Sequence, residues 1–334
     1  MSKHPIINRI IKRFFRPVLG LVLIALLISQ LDTKKLLNVL ANADYGWFFL
    51  ACILLIISNL LSVARWKKIV NHLGLAISYI RLVFLYAQAL SANIVLPGGI
   101  VGGDVWRSLG LVRYREKIVT QVPAFTHADA AASVLLDRVG GLWSLCLFSF
   151  VASLLVLGMA TENNLQGITQ SLLVSYVVFL GAAVIVPILL GFVALPLLEA
   201  AITLATHRVL KAGIETLLKI ATNMHLLFST LIESLLVQAT AIAALYLCLK
   251  AVGVEMSFAL VAAVSLAIFL AAIIPAAISG FGARELAAVV VLGYLGVHAE
   301  SAFAASVLFG LAGTLQGFIG IYFWIKKEPQ EITV

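Results

Sequence analysis

The chain is 334 residues long, 62% of them hydrophobic and 11% charged. Soluble domains carry about 25% charged residues, so the composition excludes a soluble globular protein and points to a single membrane domain over residues 1–334. The net charge of +8 sits in short clusters beside apolar stretches, which reads as membrane topology; no nucleic acid partner is expected.

Lys3, Arg9, Lys12, Arg13 and Arg16 precede a short apolar span at 17–31. No small-x-small cleavage site lies at 28–35, so this segment reads as a retained span and not as a signal peptide. An amphipathic stretch at 32–43 reads as a surface-lying helix. A second span covers 45–64, and Arg65, Lys67 and Lys68 follow it. The apolar run 79–96 enters a Gly-rich break built from Pro97, Gly98, Gly99, Gly102 and Gly103, with Arg113, Arg115 and Lys117 beyond. Spans follow at 130–159 and 171–198. An amphipathic connector, 199–223, then places Arg208, Lys211 and Lys219 near lipid phosphates before a span at 226–249. The run 256–274 enters a second break with Pro275, Gly280 and Gly282, and a last span at 302–325 is followed by Lys326 and Lys327. The expected fold class is an all-α polytopic membrane protein with about six full spans and two re-entrant broken-helix hairpins.

An internal repeat is visible. Gly74-Leu75-Ala76-Ile77-Ser78-Tyr79 matches Gly253-Val254-Glu255-Met256-Ser257-Phe258 at an offset of 179 residues, and the same offset pairs Gly103 with Gly282, Asp137 with Gln316 and Gly141 with Gly320. The first repeat covers 17–159 and the second 171–325. If both breaks are re-entrant, nearly all basic clusters fall on one side, which is then the cytoplasm. Both termini are then cytoplasmic in a cell inner membrane, Lys34, Lys35 and Lys250 lie outside, and the repeats are inverted. A full crossing at the first break would move Arg113, Arg115 and Lys117 outside.

Charge inside a membrane is costly and tends to be functional. Asp104 and Arg107, spaced i, i+3, follow the first break; Arg284 and Glu285 follow the second; Asp137 and Arg138 are adjacent in a span and point about 100° apart, toward different partners. Two half-helix N-termini, each with an Arg, make an anion site, and a guanidinium fork suits phosphate. Arg107 and Arg284 are therefore the expected phosphate ligands, with Asp104 and Glu285 orienting them or exchanging protons, Asn93 and Ser279 lining the cavity, and Asp137 and Arg138 coupling its wall to a gate. The alternative is that each Arg only neutralises a neighbouring carboxylate and that Asn93 satisfies broken backbone. Glu233 reads as facing water near the cytoplasmic end of its span, and Trp47, Trp66 and Trp324 as interface markers. Cys52, Cys146 and Cys248 lack ligand spacing and read as packing residues. No metal or other cofactor is expected.

At these residues the sequence resembles a known family: flippase-like membrane proteins related to the transmembrane domain of lysyl-phosphatidylglycerol synthase, the multiple peptide resistance factor. The resemblance is carried by Arg65-Trp66 with Leu73-Gly74, by Ser91 to Gly99 (SANIVLPGG) with Gly103-Asp104-Val105-Trp106-Arg107, by Leu136 to Gly141 (LDRVGG), and by Gly280 to Glu285 (GFGARE). It implies lipid handling, with phospholipids, hopanoid-related lipids and polyprenyl-linked lipids all open. Because the chain ends at Val334, no soluble transferase domain and no lysyl transfer are expected. The expectation is a non-enzymatic lipid transporter that binds an anionic membrane lipid in a central cavity between the repeats, without a nucleotide-binding loop. Homo-oligomers or a lipid-synthesis enzyme are the expected protein partners. An integral-membrane lipid transferase, or an accessory partner of a lipid-modifying enzyme, is the alternative.

Overall fold

The computed structural model describes residues 24–95, 100–118, 125–160, 174–187, 214–216, 218–220, 222–273 and 281–325. Pro97, Gly98 and Gly99 of the first break, Pro275, Ser279 and Gly280 of the second, most of the connector and the basic N-terminus lie outside them. The described residues are helical and contain no strand. Helices α1 (Thr33–Ala41), α2 (Tyr45–His72), α3 (Tyr79–Val95), α4 (Ile100–Ile118) and α5 (His127–Ala160) are followed by α6 (Val174–Pro187). Then come α7 (Met224–Ala251), α8 (Phe258–Ile273), α9 (Ala283–Gly293) and α10 (Ala299–Ile325). Four of these, α2, α5, α7 and α10, are long and apolar enough to cross a membrane; α6 and α8 are shorter apolar helices.

Helices α2, α5, α7 and α10 fall on four of the six expected spans, and of the other two only 24–31 and 174–187 are described; several helix ends show local causes. Asp32 caps α1 by accepting from the Lys34 and Lys35 N–H groups, as a short acidic side chain does at a helix start. Apolar sequence without internal proline lets α2 and α7 run for 28 residues each, about 42 Å at 1.5 Å per residue. Both stop at a glycine in left-handed conformation, Gly74 at φ 94° and Gly253 at φ 75°. In each case the glycine N–H bonds the carbonyl three residues back and the next N–H bonds the carbonyl five back: Gly74 to Asn71 and Leu75 to Val70, Gly253 to Lys250 and Val254 to Leu249. This is the closure that a non-glycine residue resists. The bounds of α2 and α7, and the first residues of α3 and α8, coincide at an offset of 179 residues.

Two compact units are present. One takes in the described residues up to Ile56 together with Ala87–Gly103 and Ala241–Ile325; the other takes in Ile57–Tyr86 and Asp104–Thr240. In the first, small residues bring backbones close: a side chain at Gly320 would meet the Ala87 carbonyl, and one at Gly317 would meet Ile94. Ser91 Oγ donates to the Gly317 carbonyl at 2.7 Å and Gln88 Nε2 to the Phe323 carbonyl at 2.8 Å, so α3 and α10 are joined by polar contacts as well as by packing. In the second unit, Val63, Trp66, Val70, Leu82, Leu85, Leu111 and Phe125 form the buried apolar core.

Two expectations need correction. The second span does not end at residue 64: α2 continues to the Gly74 turn, so Arg65 lies inside the helix and is 5% exposed. Trp66 is wholly buried and is no interface marker. A charged residue looked like a span boundary, but hydrogen bonding along the helix continues until the left-handed glycine ends it.

Candidate functional site

In the second unit, α2, α4, α5 and α7 bring together a charged network. Arg65 from α2 donates through Nε to Asp137 Oδ1 at 2.8 Å, through NH2 to the Asp137 carbonyl at 3.0 Å, and through NH1 to Ser234 Oγ on α7 at 2.7 Å. Arg107 from α4 donates to the other Asp137 oxygen at 2.8 Å. One carboxylate on α5 thus serves two guanidinium groups, and both Arg65 and Arg107 are almost fully buried. The Arg107 guanidinium also lies 4.0 Å from the ring centre of Trp66 and 4.9 Å from that of Tyr86, a cation–π arrangement that gains strength in a dry site. Trp66 is held by an Nε1–H bond to Ser133 Oγ, and Ser133 sits one helical turn before Asp137 on the same face of α5.

Arg138 turns away from Asp137, as expected, and grips Asp104 through Nε and NH2 at 2.9–3.1 Å. This pair is the accessible part of the network, with the Arg138 side chain 45% exposed and that of Asp104 22%. Asp104 also lies 3.8 Å from Arg107. Three guanidinium groups therefore face two carboxylates, Asp104 and Asp137, and the network carries one net positive charge. Beside it, Glu233 is mostly buried and pairs with Lys68 at 2.7 Å, where the sequence had suggested a water-facing carboxylate.

The first unit holds a smaller, neutral cluster. Arg284 NH2 donates to Glu285 Oε1 at 2.6 Å, and Nε reaches both Glu285 Oε1 and Ser306 Oγ at 3.2 Å. Glu285 Oε2 accepts the Gly282 N–H at 2.5 Å, tying the start of α9 to its own third residue. The guanidinium rests against Gly310, where any side chain would collide with it, and faces the rings of Phe281 and Phe309. Asn93 accepts the Gly103 N–H at 2.8 Å, and a side chain at Gly103 would strike Asn93 Oδ1 and the Ala89 carbonyl. Gly102 and Gly103 lie within the first turn of α4, which starts at Ile100.

The structure thus brings Arg107, Asp104, Asp137 and Arg138 together and seats Arg284 with Glu285 in the other unit; Ser279 falls outside the described residues. Sequence reading missed Arg65, Ser234 and Tyr86 in the network and Ser306 in the cluster. Arg65 was within reach, because the helix that contains it has to run on to Gly74; the serines and Tyr86 carry no local signal. Chemically, the network is suited to attract an anion while its buried carboxylate holds two cations in fixed orientation.

Comparison with known proteins places the chain in a family. The family model for the lysylphosphatidylglycerol synthase TM region matches residues 13–320. A 99-residue stretch is 26% identical to the UPF0104 membrane protein MJ1595 of Methanocaldococcus jannaschii, covering 30% of this chain and 30% of that relative's length. With nearly its whole length matched, this multi-pass membrane protein belongs to the lysylphosphatidylglycerol synthase TM region family.

Proposed function

We propose that this protein is a flippase-like lipid transporter that binds an anionic, phosphate-bearing lipid and moves it between leaflets of the cell inner membrane. The observation that carries this reading is the net positive network in the second unit, with Arg138 half-exposed beside it. A lipid phosphate reaching Arg138 meets a guanidinium fork whose bonded carboxylate, Asp104, is itself partly exposed, so the anion exchanges with Asp104 without opening the buried part. Arg107 and Asp137 hold the helices in register beneath it, and Arg107 reaches the phosphate only if Asp137 releases it. The two halves, 17–159 and 171–325, act as inverted repeats with re-entrant hairpins at the breaks and both termini cytoplasmic. The matching bounds of α2 with α7 support the repeat. Transport rather than chemistry on the lipid is the proposed activity, and a partner that makes the lipid fits it.

The test is leaflet exchange of a labelled anionic phospholipid in proteoliposomes, with mass analysis of the same lipid. Transport predicts exchange with no change of mass, a rate reduced by Arg138→Lys because a point charge replaces a fork, and a larger reduction by Arg138→Ala. Exchange at the same rate in both variants would remove Arg138 from the site, and a changed lipid mass would favour a transferase.

A further inference from the structure

Away from the charged network, the second unit contains an open cleft of about 690 Å³, lined by His72, Leu73 and Gly74 at the end of α2 and by Lys219, Thr222, Asn223 and Met224 at the start of α7. Both helices are 28 residues long, about 42 Å against a hydrocarbon core of about 30 Å, so the cleft at their ends lies at headgroup depth. Among the described residues its lining contains one fixed cation, Lys219, and no carboxylate. The walls are tied together by polar contacts: His72 Nε2 lies 3.2 Å from the Lys219 carbonyl and therefore carries the ring proton, leaving Nδ1 to accept from Asn223 Nδ2 at 3.5 Å. Asn223 Oδ1 accepts the Leu226 N–H, while Thr222 Oγ1 donates to the Leu218 carbonyl. The remaining donors of the described lining are the Lys219 ammonium and the second amide hydrogen of Asn223, the Leu226 and Leu227 N–H groups of α7 being already bonded to Asn223.

We infer that this cleft is a second anion site, one that holds a phosphate group at the membrane surface with Lys219 as its cation. The phosphate belongs to a lipid headgroup or is free in solution; the chemistry is the same. Occupancy of the cleft is independent of whether lipid crosses the membrane through the charged network. His72 is a positioning residue, since both ring nitrogens are engaged in joining α2 to Lys219 and Asn223.

Thermal unfolding of the purified full chain in a non-ionic detergent tests this, titrating inorganic phosphate in one arm and dihexanoylphosphatidylglycerol in the other, because a ligand that binds the folded state raises Tm with concentration. In the protein itself at least one probe raises Tm. Lys219→Gln shifts the half-saturating concentration upward about tenfold, the loss of one charge-assisted hydrogen bond, and Lys219→Arg restores it. A response to the lipid alone assigns the site to headgroups; a response to both assigns it to the phosphate itself. Lys219 is exposed, so the unliganded variants keep their Tm. The inference is overturned if neither probe raises Tm, or if the rise survives Lys219→Gln unchanged. Loss of the rise in Arg138→Ala alone would move phosphate binding to the network, against the cleft and in favour of the proposed transport site.

Discussion

Arg65, Trp66, Arg107, Asp137 and Arg138 of the second unit have Ala244, Leu245, Leu286, Gln316 and Gly317 at the positions 179 residues on, in the first. Ala244 and Leu245 are fully buried. Helices with the same bounds thus pack once around a charged network and once around mostly apolar side chains and Gln316, with buried charge among the described residues of the first unit limited to Arg284 and Glu285. Burying ions costs several kcal/mol each even when they are paired. Since the chain itself holds an apolar solution at corresponding positions, the network is not required to hold such helices together, which is the reason to look there for function. The two sites also differ in closure. Glu285 is satisfied by Arg284, Ser306 and the Gly282 N–H, whereas the network is left with an excess cation and an exposed edge.

The sharpest way to break this contrast is Asp137→Asn. It leaves Arg65 buried without a carboxylate and Arg107 with only Asp104, 3.8 Å away, and the expected loss is about 3–5 kcal/mol, seen as a collapse of Tm or of folded yield in detergent. Adding Arg107→Met does not restore stability, because Arg65 still lacks its partner. The neutral cluster behaves differently: Arg284→Met alone strands Glu285 and is destabilised by a comparable amount, but Arg284→Met with Glu285→Gln removes both charges, keeps an acceptor for Gly282, and returns close to the parent Tm. Equal recovery in both units would mean that the network is only a larger version of the cluster.

Next in size is Gly103→Ala. Its methyl group meets Asn93 Oδ1 and the Ala89 carbonyl, and overpacking of this kind costs about 1–3 kcal/mol. Denaturation that matches the parent would show that α4 does not need this close approach. Gly74→Ala and Gly253→Ala should each lose about 1–2 kcal/mol through the left-handed backbone, and by similar amounts, since open space surrounds Gly253 and both turns share one bonding pattern. Unequal losses would weaken the equivalence of the two segments. The smallest stability effect is at Arg138→Ala, no more than about 1 kcal/mol for a half-exposed pair, yet it carries the largest expected loss of lipid exchange. A drop in Tm as large as that of Asp137→Asn would recast Arg138 as structural.

Much of the frame is legible in the order of residues. Most of the apolar runs are long and lack internal proline, and a backbone in lipid has to satisfy its own hydrogen bonds, so the helices and their approximate ends follow locally, except that α2 runs past residue 64 to the left-handed Gly74. The i, i+3 spacing of Asp104 and Arg107 and the divergence of Asp137 from Arg138 follow from helical geometry alone. Which charge meets which partner does not. Arg65 and Asp137 are 72 residues apart, and Trp66 could be read as an interface residue until the packing of α2 against α4 and α5 buried it under Arg107. Ser306 and Ser234 are ordinary serines until a guanidinium is brought to them. Sequence determined the helices because their hydrogen bonds close within a few residues; tertiary structure alone decided the ion pairs, because helices distant in the chain had first to expel lipid and water from the space between them.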